Sequence, residues 1–311
     1  MRRWPAALLL AGLASGAVAE ELRLRLLDVG EGQAVLLSHG ERGILVDTGH
    51  AGQATRVLRA ITDSGVRHLD MLILSHLHPD HASGYFRLRE AWPDTPVLDA
   101  WHPLPTDISP DMVRWVNEAL STDPLRRRLK AGDSLPWGDA RIEVLWPAGF
   151  TSHNLNRHSL VLRIRHGERS ALLMGDAGKT VERELLKGEK PLASDVLVVG
   201  HHGASDAGDD AFLAAVRPQW SLISVNRDNL RGYPSADTLQ RLRATSGQVR
   251  RTDEDGDICL RLPRTAVVTP CRVNKTSTHA YRPSRVSGLS SRVKEKVAPR
   301  PGSPSPQMRP P

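Results

Sequence analysis

Three histidines and an aspartate fall within six residues, His76-Leu77-His78-Pro79-Asp80-His81, just after an apolar run ending at Leu74. Imidazole nitrogens and carboxylate oxygens are the ligands that divalent transition metals take up. Alternation at a strand end points His76 and His78 to one side. Asp80 and His81 then approach from the start of a helix, and Pro79 stiffens the turn between the two pairs. Two imidazoles suit one cation, and a carboxylate with a third imidazole suits a second. Two such cations lower the pKa of a bridging water from about 15.7 toward neutrality and so supply hydroxide without a basic side chain. No serine or cysteine nucleophile motif stands elsewhere in the chain. The dinuclear-metal-bound hydroxide is therefore expected to attack phosphorus or an acyl carbon, with the metals stabilising charge on the substrate oxygen.

Positioning these groups requires a buried strand, and the surrounding pattern provides one. "LRLRLLDVG", "QAVLLSHG" and "RGILVDTG" read as strands separated by turn residues, followed by a helix over about 53–64 and the strand "HLDMLILSH". After the histidines come a helix in "ASGYFRLREAW", a strand in "PVLDAW", and a helix in "SPDMVRWVNEALSTDP" with Ser109 as N-cap and Pro110 in its first turn. "SLVLRIRHG" and "RSALLMGD" form a hairpin turning at Gly167-Glu168. Later strands, "ASDVLVVGHH", "WSLISVN" and "QVRRT", are separated by helices near 209–217 and 235–245. Strands followed by alternating strands and helices, twice over, imply an α/β fold: two sheets face to face with helices outside, a four-layer αββα sandwich.

The ends of the chain have different compositions. Arg2 and Arg3, an apolar stretch to about Ala14 and Ala17-Val18-Ala19 form the pattern of a secretory signal peptide, residues 1–19. No later apolar run reaches about 18 residues, so no transmembrane span is expected in the mature chain. Export implies a periplasmic or secreted protein. The domain is then 20–274, and 275–311 is a basic Pro/Ser-rich tail expected to be disordered. The net charge of +7 comes from that tail: nine Lys/Arg from Arg272 onward meet one acid, Glu295. The body between the two ends holds 34 acidic and 31 basic residues, so total charge argues for no basic catalytic face. The tail could adhere to an anionic polymer or be a solvated extension. Cys259 and Cys271 flank two short strands and a turn. If these pair, the thiols meet across the hairpin as a disulfide, as an oxidising compartment permits.

"HLHPDH" resembles the HxHxDH signature of metallo-β-lactamase-fold hydrolases. "LDVGEGQAVLL", "ILVDTG", "SLVLRIRHGERSALLMGD", "VLVVGHHGAS" and "VRPQWSLISVNRDN" resemble successive motifs of one branch, the extracytoplasmic hydrolase domain of ComEC-type DNA-uptake proteins and its free-standing relatives. The resemblance covers about residues 22–258. It implies that His76 and His78 bind the first metal and Asp80 and His81 the second, with Asp176 of "MGD" bridging both. A competing role for Asp176 is N-cap of the helix in "AGKTVERELL". His201 or His202 completes the second metal; His201 is placed there and His202 kept as a metal or substrate residue. Asp80 and Asp176 are the catalytic carboxylates.

Two stretches depart from the relatives. Where the superfamily supplies a third histidine to the first metal, this chain reads "HNLNRHSLVL", offering Asn156, which fits the branch, and His158 or His153. Where relatives carry His-Pro, this chain has Tyr233-Pro234. Ser205, Asn226 and Tyr233 are placed on the substrate side. Asp47 is expected to orient a metal-bound imidazole or to form a turn, and Asp28 is similar, with a structural role ahead. His39, His50, His68, His102, His166 and His279 are read as surface or packing residues. The expected cofactors are two divalent ions, Zn²⁺ first and Mn²⁺ as the alternative. The expected function is hydrolysis of a small-molecule or nucleic-acid phosphodiester. The rivals are a carbon ester, lactone, thioester or β-lactam hydrolase, and a catalytically silent binding module.

Overall fold

Strands apolar on both faces need cover on both faces, and the computed structural model shows how these strands obtain it. It describes residues 21–100, 111–149 and 154–272; the expected signal segment and tail lie outside these residues, as do His102, Ser109, Pro110, His153 and His279. The strands are β1 (Leu22–Leu26), β2 (Val35–His39), β3 (Arg42–Val46), β4 (His68–Leu74), β5 (Val97–Ala100), β6 (Arg126–Leu129), β7 (Ser134–Trp137) and β8 (Ala140–Trp146). They continue as β9 (Val161–His166), β10 (Arg169–Leu173), β11 (Val196–Val198), β12 (Trp220–Ile223), β13 (Gln248–Arg251), β14 (Ile258–Leu262) and β15 (Thr269–Pro270). The helices are α1 (Ala54–Asp63), α2 (Pro79–Ala82), α3 (Tyr85–Ala91), α4 (Asp111–Thr122), α5 (Lys179–Lys187), α6 (Asp210–Val216), α7 (Ala236–Thr245) and α8 (Thr252–Asp255).

One sheet runs β15-β14-β1-β2-β3-β4-β5-β6 and the other β13-β12-β11-β10-β9-β8-β7. Successive residues of one strand serve different cores. Ile73 of β4 packs between the sheets with Leu24, Leu162 and Leu173. Its neighbours Leu72 and Leu74 face outward against Val57 and Ile61 of α1 and Val116 of α4. Likewise Leu173 of β10 faces inward, whereas Leu172 packs with Val181 of α5 and Phe212 of α6. Two sheets back to back, each with a helical outer cover, make the four-layer αββα sandwich.

Three strands lie where the sequence reading placed none: β6, β7 and β8. β6 is Arg-Arg-Arg-Leu at a sheet edge, where Arg126 pairs with Asp99 and only Leu129 reaches the core. Polar edge strands carry little apolar signal. The β7–β8 hairpin had a legible signature, with Ala140, Ile142 and Val144 alternating after a turn at Gly138. The Cys259–Cys271 disulfide is present across β14 and the segment after β15, where Cys271 N donates to the Cys259 carbonyl at 2.9 Å.

The topology gathers the chemistry at one end. β3 to β6 run parallel in the first sheet, and β10 to β13 run parallel in the second. The C-terminal ends of β3 and β4 lead into Asp47 and His76; those of β10, β11 and β12 lead into Asp176, the His201–His202 pair and Ser224.

Candidate metal centre

β4 ends at Leu74, so His76 and His78 stand in a loop beyond the strand rather than on it. His78 occupies the N-cap of α2, whose first turn carries Asp80 and His81. The loop is pinned by the "GEGQA" segment from β1, since Gln33 N donates to the Asp80 carbonyl at 3.1 Å. Gly32 is required there: at φ +108° a Cβ would lie 2.0 Å from that carbonyl oxygen. Gly175, at φ +54°, similarly lets Asp176 pass close to Ser75 and Ser159.

The donor atoms converge in two trios: His76, His78 and Asp176, and Asp80, His81 and His202. His76 Nε2 and His78 Nδ1 are 3.0 Å apart, and Asp176 Oδ2 lies 3.7 Å from His76 Nε2. The other oxygen, Oδ1, lies 3.1 Å from His81 Nε2 and 3.5 Å from His202 Nε2. Asp80 Oδ2 is 3.4 Å from His202 Nε2. Asp176 thus turns one carboxylate oxygen to each trio. It does not cap the following helix, since the N-cap of α5 is Gly178.

The outward nitrogens show which way the lone pairs face. His81 Nδ1 donates to Asp47 Oδ2 at 2.8 Å, and His202 Nδ1 donates to the Ser224 carbonyl at 2.9 Å. Ser75 Oγ donates to Asp47 Oδ2 at 2.8 Å and so accepts from His76 Nδ1 at 3.1 Å. Three Nε2 lone pairs therefore converge with carboxylate oxygens in a buried space. Asp176 Oδ1, fully shielded from solvent, has no hydrogen-bond partner. Acceptors facing acceptors in a dry site are unfavourable unless positive charge stands between them. In the bare protein that charge must be a proton. Burial works against a charged His81, but Asp176, Asp47 and Asp80 outweigh it and hold its pKa well above the usual range. Burial opposes ionisation of Asp176 too, yet His81 and His202 keep its pKa well below the usual carboxylate range. His76 and His78 are pushed down, chiefly by burial. Two divalent cations fit this donor set: edges between ligand atoms around a tetrahedral ion with bonds of about 2.0–2.1 Å measure roughly 3.3 Å.

The geometry favours His202 over His201 as the ligand beside Asp80 and His81. Both residues sit in a left-handed turn, φ +48° and +53°, which turns adjacent side chains apart. His201 Nδ1 donates to Asp206 Oδ1 at 2.8 Å, while its Nε2 accepts from Asn156 Nδ2 at 3.3 Å. Both its nitrogens are thus engaged away from the trios. Asn156 Oδ1 is buried without a partner beside it. His158, buried in the same turn, joins neither trio. Asp47, fully buried, touches His81; Asp28 instead caps its own turn through Gly30 N at 3.3 Å and touches none of the six. Asn226 and Tyr233 line a small open cleft next to His202, with Glu31, Asn229 and Arg231. Ser205 is exposed and does not line it. Sequence reading missed Gln33, Ser75, Ser159 and Ser224, the groups that hold the ligands. Gln33, Ser159 and Ser224 stand inside motifs that resemble the family's, and Ser75 directly precedes one, the only signal they offered.

The family model of the metallo-beta-lactamase superfamily matches residues 27–224. The chain belongs to this superfamily. Among curated relatives, it is 30% identical to "Competence protein ComA" of Neisseria gonorrhoeae over 86% of this chain and 36% of that one. It is 27% identical to "ComE operon protein 3" of Bacillus subtilis over 78% of this chain and 33% of the relative. The chain spans about a third of the length of these relatives. Among solved structures, the metallo-beta-lactamase fold protein YhfI from Bacillus subtilis superposes with a TM-score of 0.52 at 13% identity, covering 78% of this chain and all of that one. CmlA, a diiron β-hydroxylase from Streptomyces venezuelae, superposes at 0.51 with 19% identity, over 78% of this chain and 54% of the other. Both share the fold.

Proposed function

We propose that this superfamily member is an exported, metal-dependent phosphodiesterase acting on a nucleic acid or nucleotide. The observation that carries the reading is the pair of ligand trios sharing Asp176, beside a cleft to which Asn226, Arg231 and Tyr233 contribute. His76, His78 and Asp176 would hold one divalent cation, and Asp80, His81, His202 and Asp176 the other, with Zn²⁺ the first choice and Mn²⁺ the alternative. Such a pair supplies Lewis acidity toward a phosphoryl oxygen and a nucleophile at neutral pH. The chain's own residues do the rest. Asp47, Ser75 and Ser224 accept the outward ring protons and so aim the inward nitrogens at the cations they would hold. Asn229 holds the cleft wall through the Asn226 and Tyr233 carbonyls; Asn226 and Tyr233 would meet a substrate there, and the Arg231 guanidinium suits an anionic phosphodiester better than a neutral ester. His201, its nitrogens held by Asp206 and Asn156, would position Asn156 at the edge of the site rather than bind the cations.

Two further observations support the reading. Two of the curated relatives are named as a competence protein and a recombination protein, which favours DNA as substrate. The Cys259–Cys271 disulfide suits an oxidising compartment, and among the described residues no helix is long and apolar enough to cross a membrane. Protein loaded with Mn²⁺ or Zn²⁺ is expected to cleave bis-p-nitrophenyl phosphate and DNA and to stop on addition of EDTA. Consumption of nitrocefin or a lactone, with both phosphodiesters intact, would replace this reading with acyl hydrolysis.

A further inference from the structure

A second group of ligand-type side chains meets at the opposite end of both sheets from Asp176. β2 ends at His39, beside the start of antiparallel β3, and β9 ends at His166, beside the start of antiparallel β10. Asp139 sits in the β7–β8 turn between Trp137 and Ala140. Two strands from different sheets and one hairpin thus deliver His39, His166 and Asp139 to one place. Nothing local in the sequence joins the two histidines, which read there as surface or packing residues.

One carboxylate oxygen faces both rings. Asp139 Oδ1 lies 3.1 Å from His166 Nε2 and 3.3 Å from His39 Nε2. The other oxygen, Oδ2, accepts from Arg264 Nη1 at 3.1 Å. His166 is 1% exposed, and its Nδ1 donates to the Leu262 carbonyl at 2.6 Å. That bond places the ring proton on the outward nitrogen, so the Nε2 lone pair faces Asp139. A lone pair and a carboxylate oxygen this close need a positive charge between them: a second proton on His166, or a cation. A protonated His166 with a neutral His39 donating to the second lone pair of Oδ1 would make an ion pair here; a cation bound by all three groups answers the same geometry. The 3.1 and 3.3 Å separations also match the roughly 3.3 Å edges expected around a tetrahedral zinc with bonds of about 2.0–2.1 Å. The outer contacts are of the supporting kind, with a carbonyl behind His166, a guanidinium behind Asp139 and the Trp137 ring edge-on to His39 at 6.2 Å.

We infer that His39, Asp139 and His166 form a zinc site separate from the catalytic centre, which pins the end of β2 in one sheet to β7, β8 and β9 in the other. The test is a metal count on the full chain, stripped with chelator, reloaded with Zn²⁺ and desalted. His39→Gln and Asp139→Asn, which change partly exposed side chains, are each expected to hold one zinc fewer per chain than the wild type. With Co²⁺ as the probe, the same variants should lose part of the visible absorbance of a tetrahedral site. Circular dichroism identifies a variant that fails to fold, in which case the other decides. An unchanged zinc count in a folded variant overturns the site and leaves an imidazolium–carboxylate pair in its place. The count does not depend on what the catalytic centre hydrolyses, so this inference and the phosphodiesterase reading fail separately.

Discussion

Asp47 accepts the Nδ1 proton of His81 across 2.8 Å, and neither side chain reaches solvent. The carboxylate is itself held by Ser75 N at 2.7 Å and Gln33 Nε2 at 3.1 Å. An amide in its place offers a donor where His81 needs an acceptor, and the ring loses its fixed tautomer. Asp47→Asn is therefore expected to weaken zinc binding roughly 10–100-fold, measured by competition with a chromophoric chelator. Asp28→Asn, which touches none of the ligands, should leave the affinity at the wild-type value.

The two adjacent histidines should separate cleanly. His202→Ala removes a nitrogen that lies 3.4 Å from Asp80 and 3.5 Å from Asp176, and is expected to lower the number of metal ions bound. His201→Ala should keep that number and lower kcat/KM on a phosphodiester. Elemental analysis beside steady-state kinetics checks both. Loss of metal in His201→Ala alone would reverse the assignment.

Glu182 gives the fold a pH dependence of its own. It is buried, and its two oxygens accept from Gly208 N at 2.7 Å and Asp209 N at 2.8 Å. Burial, reinforced by Asp209 and Asp206, outweighs those bonds and pushes its carboxyl from 4.5 up to about 7. The folded state then binds more protons than the unfolded chain across that window, so stability falls as pH rises through it. The contribution is fully present below pH 4.5 and lost above 7. The loss is on the order of 3 kcal/mol. Urea denaturation of Glu182→Gln between these limits should show a flatter pH dependence than the wild type.

The disulfide closes a short loop between residues 12 apart. Cys259→Ser is expected to cost about 3 kcal/mol by the chain-entropy estimate, read as a lower urea midpoint. Reductant should lower the wild-type midpoint similarly and leave the variant unmoved.

The parts legible in the sequence were those whose partners are close in the chain. His76 to His81 announce themselves by spacing, and the strand before them by its apolar run. Asp176 and the histidine pair became legible through resemblance. Which of His201 and His202 turns inward was not legible, because a left-handed turn at two non-glycine residues breaks the alternation a reader relies on. The supporting serines carry no signal of their own: Ser159 meets Asp176 N at 3.0 Å only because β9 and β10 are paired. β6 was hidden for another reason. Its arginines are satisfied by Asp99 and by solvent, so its membership of the sheet rests on backbone bonds rather than apolar side chains.

Asp176 comes from one sheet and the HxHxDH residues from the other, a division that reaches beyond the candidate metal centre. No fragment containing a single layer owns a complete ligand set. Under the proposed assignment, cation uptake would therefore report on how the halves of the molecule are mated. A cation would act there as a rivet, and slippage of one layer against the other by a single residue would eject it. Limited proteolysis with and without zinc should register the difference as protection distributed over both layers rather than confined to the loops around His78 and His202.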